Sequence, residues 1–182
     1  MYKTLLTSIL AFFVCFGNTK AQNLSSASAE DKSTQFTMYV TPRHLPQNAV
    51  YYQPDGIAVP LDSYKGKVIV LNFFKATCRK CLIEMPSLNE LKDKHPDIVL
   101  LAVSEGDENA DILDRILHHE RQLFNIAVSL DRNQELFFAL GGEKVPQTRL
   151  IDKKGMLRGT IKGEADFRSE KISQQIDTLV NE

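Results

Sequence analysis

Two cysteines three positions apart, Cys78 and Cys81, enclose Arg79 and Lys80 in a chain of 182 residues whose only other cysteine is Cys15. The pair directly follows the apolar run Val68–Phe74 and stands where a helical pattern begins. That context suits sulfur chemistry. A helix N-terminus offers unpaired N–H groups and the positive end of the macrodipole, and both stabilise a thiolate at Cys78. The charges of Arg79 and Lys80 add to this. A fall in thiol pKa from about 8.5 to about 5.5 would take the thiolate from roughly 3% to nearly all at pH 7. It would also make the couple about 45 mV more oxidising. Cys81, one turn further in, is the more shielded sulfur and could resolve a mixed disulfide formed by Cys78. A static disulfide and half of a zinc site are the competing readings. Zinc requires two more ligands, and none of His44, His95, His118 and His119 recurs at ligand spacing from the pair.

The elements that must position these sulfurs are legible in the hydrophobic pattern. Val68–Phe74 and Ile98–Val103 read as strands buried on both faces. A helix is predicted after Cys78, with Leu82, Met85, Leu88 and Leu91 near one face. Pro86 should kink it by removing a backbone bond. A second helix is predicted over about 109–124, with Ile112, Leu113, Ile116, Leu117, Leu123 and Phe124 inward. Ile126–Val128 is a short extended piece. A third helix holds Leu136, Phe137 and Leu140 and stops at Gly141-Gly142. Thr148–Ile151 and Met156–Ile161 flank the turn Asp152–Gly155 and form a hairpin. A last helix over about 166–181 buries Phe167, Ile172, Ile176, Leu179 and Val180. Upstream, Phe36–Val40 is strand-like, and the stretch to Gly56 is loop-like with Pro42, Pro46 and Pro54. The order βαβαβ, hairpin, helix implies an α/β fold with a mixed sheet covered on both faces.

The first 21 residues differ from the rest. Lys3 precedes an apolar run from Leu5 to Gly17, and Asn18–Ala21 supplies small residues before a cut after Ala21. This is the layout of a secretory signal peptide. An uncleaved anchor, or lipidation at Cys15, is the alternative, although Val14 is larger than the small residue usual before a lipidated cysteine. Cleavage removes Lys3 and Lys20 and takes the net charge from −1 to −3. It leaves Cys78 and Cys81 as the sole cysteines, the pattern of a redox-active pair in an exported protein. Residues 22–35, rich in Gln, Ser, Ala and Thr, read as a disordered linker, and 36–182 as one domain. The even charge gives no support to nucleic-acid binding. Contact with a membrane is expected only if the leader is retained or lipidated.

Taken in order, Lys65-Gly66-Lys67-Val68-Ile69-Val70-Leu71-Asn72-Phe73, the Cys78–Cys81 pair, Glu84-Met85-Pro86, Val145–Asp152 and Gly155 resemble the thioredoxin superfamily, most closely the TlpA/ResA-like extracytoplasmic thiol–disulfide oxidoreductases. The resemblance covers about residues 55–182. It implies a thioredoxin-like fold with an N-terminal extension. It also implies a cis Val145–Pro146 bond packed against the disulfide, which blocks metal ligation beside the thiols, and a Val145 backbone that pairs with an extended substrate. Glu84 shares a helix face with Cys81 and would move a proton at the buried thiol, with a raised pKa. Its other reading is a surface glutamate paired with Lys80 or Lys92. Asn72 stands where thioredoxins proper carry a buried aspartate, which increases the need for Glu84. Phe74 and Thr77 occupy places usually held by tryptophan, and Lys80 replaces a proline between the cysteines. The surface around Cys78 is therefore less aromatic and more basic.

The expected function is exchange of disulfides with protein thiols, in the reducing direction. It needs no cofactor or metal beyond the Cys78–Cys81 pair, and an upstream electron donor or acceptor would reset it. The expected location is the bacterial periplasm or cell envelope. A non-catalytic binding module on the same scaffold is one alternative. A peroxidase of the peroxiredoxin type is another, but it needs Thr and Pro three and seven residues before the reactive cysteine, where Lys75 and Leu71 stand. Asp107, Asn109 and Asp111 resemble the start of a calcium loop without its glycine and read as a polar loop and helix cap. His118 and His119 read as a solvated helix face.

Overall fold

The computed structural model describes residues 34–182, so the leader and nearly all of the linker lie outside the described residues. A single eight-stranded mixed sheet organises the rest. Its strands are β1 (Gln35–His44), β2 (Val50–Tyr52), β3 (Ala58–Pro60), β4 (Ile69–Phe74), β5 (Val99–Ser104), β6 (Ala127–Leu130), β7 (Gln147–Ile151) and β8 (Met156–Lys162). They lie in the order β1-β8-β7-β4-β5-β6-β2-β3. Every residue of β4 is buried, as expected for a strand with β5 parallel on one side and β7 antiparallel on the other. Its side chains alternate between two cores, in keeping with the two-residue period of a strand. Val70 and Phe74 join the larger core, built with α1 (Arg79–Lys94) and α4 (Glu170–Asn181). Ile69, Leu71 and Phe73 join the second core, which includes Leu136 and Phe137 of α3 (Glu135–Ala139). Phe73 meets Phe137 edge to face, with ring centroids 5.2 Å apart. Among the described residues no helix is long and apolar enough to cross a membrane.

Several elements depart from the pattern read off the residues. The first strand starts at Gln35, inside the stretch taken for linker, and runs to His44. Pro42 is tolerated because β1 is an edge strand whose register shifts between Met38 and Arg43. Part of the supposed loop, Val50–Tyr52, is β2 and pairs with β3 and β6. The predicted helix over 109–124 breaks up. Ala110–Asp114 forms α2, Arg115–Glu120 widens into a π turn, and the chain reverses at Gln122, whose φ is 56°. Phe124, expected inside, is 74% exposed, because the helix ends before its periodicity would turn it inward. The last helix starts only at Glu170, although Phe167 ahead of it is buried as expected. Pro86 does sit inside α1. Lacking an N–H, it leaves the Leu82 carbonyl without its helical donor, and Arg121 Nη1 donates to that oxygen at 3.3 Å.

Candidate active site

The site is built where two antiparallel neighbours meet. Strand β4 ends at Phe74 and β7 begins at Gln147, directly opposite Phe73. The turn carrying Cys78 and the segment ending in Pro146 therefore leave the same edge of the sheet. The Lys75 carbonyl accepts the Cys78 N–H at 3.0 Å, which closes that turn. Cys78 is the N-cap of α1, and its sulfur accepts the Cys81 N–H at 3.2 Å. This is the helix-mouth position the sequence indicated. The two sulfurs form a disulfide, with Cα atoms 5.3 Å apart. Cys78 is partly open to solvent and Cys81 is fully buried. Arg79 and Lys80 are exposed, with no ion pair among the described residues.

Three residues beyond Cys81 on α1, Glu84 is 2% exposed and is not the surface residue of its alternative reading. Oε1 accepts from Asn72 Nδ2 at 2.7 Å and Oε2 from the Ala165 N–H at 3.0 Å. Burial pushes its pKa up to about 8, against the two donors, which favour the charged form. The same Asn72 amide reaches the Thr148 hydroxyl at 3.0 Å, and Asn72 Oδ1 has no partner among the described residues. Asn72, Glu84 and Thr148 thus join β4, α1 and β7.

Across the edge, the Val145–Pro146 peptide bond is cis. Pro146 is buried and its carbonyl accepts the Gly163 N–H at 3.0 Å, while Val145 packs against both cores. Among the described residues the N–H and C=O of Val145 have no hydrogen-bond partner.

Other residues fall outside this edge. Asn109 caps α2, its side chain accepting the Ile112 N–H at 2.9 Å, so the calcium-like triplet is a helix start. His118 is not a solvated residue. Its ring spans Asp114 Oδ1 and the Ile126 carbonyl, both at 2.7 Å, whereas His119 is exposed. Three buried ionisable residues escaped the sequence reading. Glu105 follows β5, is 2% exposed and receives no donor at either carboxyl oxygen among the described residues; when protonated it is itself the donor facing Asp131. Burial, then the neighbouring Asp131 carboxylate, pushes its pKa to about 9. Asp131 itself accepts the N–H groups of Leu136 and Phe137 and caps α3. Arg149 is buried within β7. The only signal was a charge at the end of, or inside, an otherwise apolar run.

A profile described as the AhpC/TSA family matches residues 41–160. Among curated proteins, thiol-disulfide oxidoreductase ResA of Geobacillus thermodenitrificans is 31% identical over 121 residues, 65% of this chain and 67% of that protein. Thiol:disulfide interchange protein DsbE of Pseudomonas aeruginosa is 30% identical over 120 residues, 65% of this chain and 64% of its own length. Among solved structures, the exposed lipoprotein thioredoxin of Streptococcus pneumoniae superposes with a TM-score of 0.56 at 26% identity, covering 71% of this chain and 98% of that one.

Proposed function

The chain belongs to the AhpC/TSA family, and from that premise we propose that Cys78, Cys81 and Glu84 reduce disulfides of partner polypeptides docked on Val145 and Pro146. The protein is a thiol–disulfide oxidoreductase of thioredoxin-like fold. The observation that carries the residue roles is the asymmetry of the disulfide: one sulfur reachable at the mouth of α1, the other sealed three residues ahead of a buried carboxyl group.

In the reduced protein the Cys78 thiolate attacks one sulfur of a partner disulfide. A mixed disulfide forms and the first partner thiolate leaves. Cys81 then gives its proton to the Glu84 carboxylate and attacks Cys78 Sγ, expelling the second partner thiolate. Two electrons have passed to the partner and Cys78–Cys81 is a disulfide again. On reset by an upstream dithiol, Cys81 leaves as a thiolate and takes the proton back from Glu84. With a pKa of about 8 in the disulfide form, Glu84 holds that proton near neutrality. The unpaired backbone groups of Val145 suit strand addition by an extended segment. No cofactor enters these steps. The signal-like leader supports a location outside the cytoplasm, in the periplasm or cell envelope.

A Cys81→Ser variant should trap partners as mixed disulfides through Cys78. In insulin reduction by dithiothreitol the wild type should outpace Cys78→Ser, and equal rates would make the fold a non-catalytic scaffold. The potential of the couple decides direction. A value near about −270 mV supports reduction, and one near about −120 mV reverses the assignment.

A further inference from the structure

We propose that Arg149 is a positioning residue for the partner-binding segment: its guanidinium fastens the end of α3 to the sheet and so fixes where Val145 presents its backbone. The inference rests on the reading of Val145–Pro146 as the docking ledge.

Arg149 sits between Leu71 of β4 and Thr160 of β8 and is 2% exposed. Nε at 3.0 Å and Nη2 at 2.7 Å both donate to the carbonyl of Leu140, the C-cap of α3. Nη1 donates to the Thr160 hydroxyl, which donates onward to the Thr148 carbonyl at 3.2 Å. Among the described residues no carboxylate accepts from it. The groups that bear on it electrostatically are Tyr39 and then Glu143, which Lys162 already holds at 3.1 Å. Burying a guanidinium without a carboxylate is costly, and a methionine could fill much of this slot at no such cost. What arginine adds is a rigid fork of donors. Here the fork closes on a carbonyl at a helix C-terminus, where the last oxygens lack intrahelical partners and the dipole favours a cation.

The segment from that carbonyl to β7 is Gly141–Pro146. Gly141, at φ 70°, takes a left-handed conformation that side chains resist. At Gly142 a Cβ would fall 2.4 Å from the Phe137 ring. Both glycines donate their N–H groups back into α3, Gly141 to the Phe138 carbonyl at 2.9 Å and Gly142 to the Phe137 carbonyl at 2.8 Å, and Arg149 ties this turn to the sheet. Asp131 holds the opposite end of α3, accepting the Leu136 N–H at 3.0 Å and the Phe137 N–H at 2.7 Å. A helix of one and a half turns is thus pinned at each end by a buried charge of the sign its dipole favours.

The test compares wild type, Arg149→Met and Arg149→Lys on two substrates, a disulfide-bridged peptide and bis(2-hydroxyethyl) disulfide, which has no backbone to pair. The potential of the Cys78–Cys81 couple is measured alongside. Arg149→Met should raise KM for the peptide about tenfold, the loss of hydrogen bonds from a charged donor. Its turnover of the small disulfide should stay within about twofold and its potential unchanged. Arg149→Lys, which keeps the charge but not the fork, should fall between. A peptide KM equal to wild type in a folded variant overturns the proposal. So does a parallel loss on both substrates with a shifted potential, since that is general structural damage. If the Met variant does not fold, the Lys variant carries the same comparison, and the same two results overturn the proposal. A wild type that turns over the small disulfide but shows no saturable preference for the peptide removes the ledge itself, and this inference falls with it.

Discussion

Two carboxyl groups are equally buried in this molecule and are treated in opposite ways by their surroundings. Glu84, on α1, receives hydrogen bonds from Asn72 and from the backbone of Ala165. Glu105, beyond β5, receives none among the described residues and lies beside the Asp131 carboxylate. Both have raised pKa values, about 8 and about 9, because desolvation is the largest influence on each. A raised pKa therefore reports burial and does not by itself mark a working group. A carboxyl that ionises in every cycle, as proposed for Glu84, needs donors to receive the charge, and Glu84 has two. One that stays neutral through the cycle can do without them.

The widest contrast comes from the exposed sulfur of the pair. Cys78→Ser should reduce insulin turnover to the dithiothreitol background, while Glu105→Gln should leave it at the wild-type rate. A Glu105→Gln variant as inactive as Cys78→Ser would end the distinction between the two regions. Next in size, Glu84→Gln should slow protein-disulfide turnover by about a hundredfold, the lower end of what loss of a general acid–base group costs. It should also erase an inflection near pH 8 in the rate profile. Glu105→Gln should keep that inflection, and its disappearance there would move the proton-handling role to the other region.

Stability should respond to both groups in the same direction. Each carboxyl binds its proton more tightly folded than unfolded. The folded state therefore carries the extra proton from about pH 4.5 up to about pH 8 for Glu84 and about pH 9 for Glu105. Across that window stability falls as pH rises, and it levels off above the folded pKa. Replacement by glutamine removes the decline. Glu105→Gln, whose amide can still donate to Asp131, should raise Tm at pH 8 by about 2–4 °C per kcal/mol gained. Glu84→Gln should gain less, because its two donors lose a charged acceptor. Thermal melts at pH 5 and pH 8 measure both, and a steeper decline in either glutamine variant would contradict the sign. The smallest effect supplies a baseline away from either region. Asn109→Ala should cost about 1 kcal/mol through the lost cap of α2 and leave turnover unchanged.

The parts of the site written in consecutive residues are readable from the chain alone. Cys78, Cys81 and Glu84 declare themselves because spacings of three place them on successive turns of one helix face, and the strand before them is apolar but for Asn72. The thioredoxin-like resemblance supplied Val145 and Pro146, which no local rule connects to residues some seventy positions earlier. What stayed hidden depends on distant partners. Val50–Tyr52 becomes a strand only because β6 lies beside it. Phe124 ends outside because Gln122 turns the chain before the helical period completes. Glu105 and Arg149 looked like ordinary charges, since nothing nearby in the chain says that Asp131 or the Leu140 carbonyl will face them.

The Asn72–Thr148 hydrogen bond joins residues 76 apart in the chain, and the β4–β7 ladder it accompanies closes a long loop around the reactive edge. Contacts so remote in sequence are late and slow to assemble. A ribosome or a translocation channel delivers the dithiol well before Gln147–Ile151 arrives. Until then the segment proposed to dock its partners, Val145–Pro146, is not yet in place beside Cys78. With Val145 and Pro146 docking partners as proposed, selectivity is acquired only when β7 is in place, and a truncation ahead of β7 would leave a dithiol without its docking ledge.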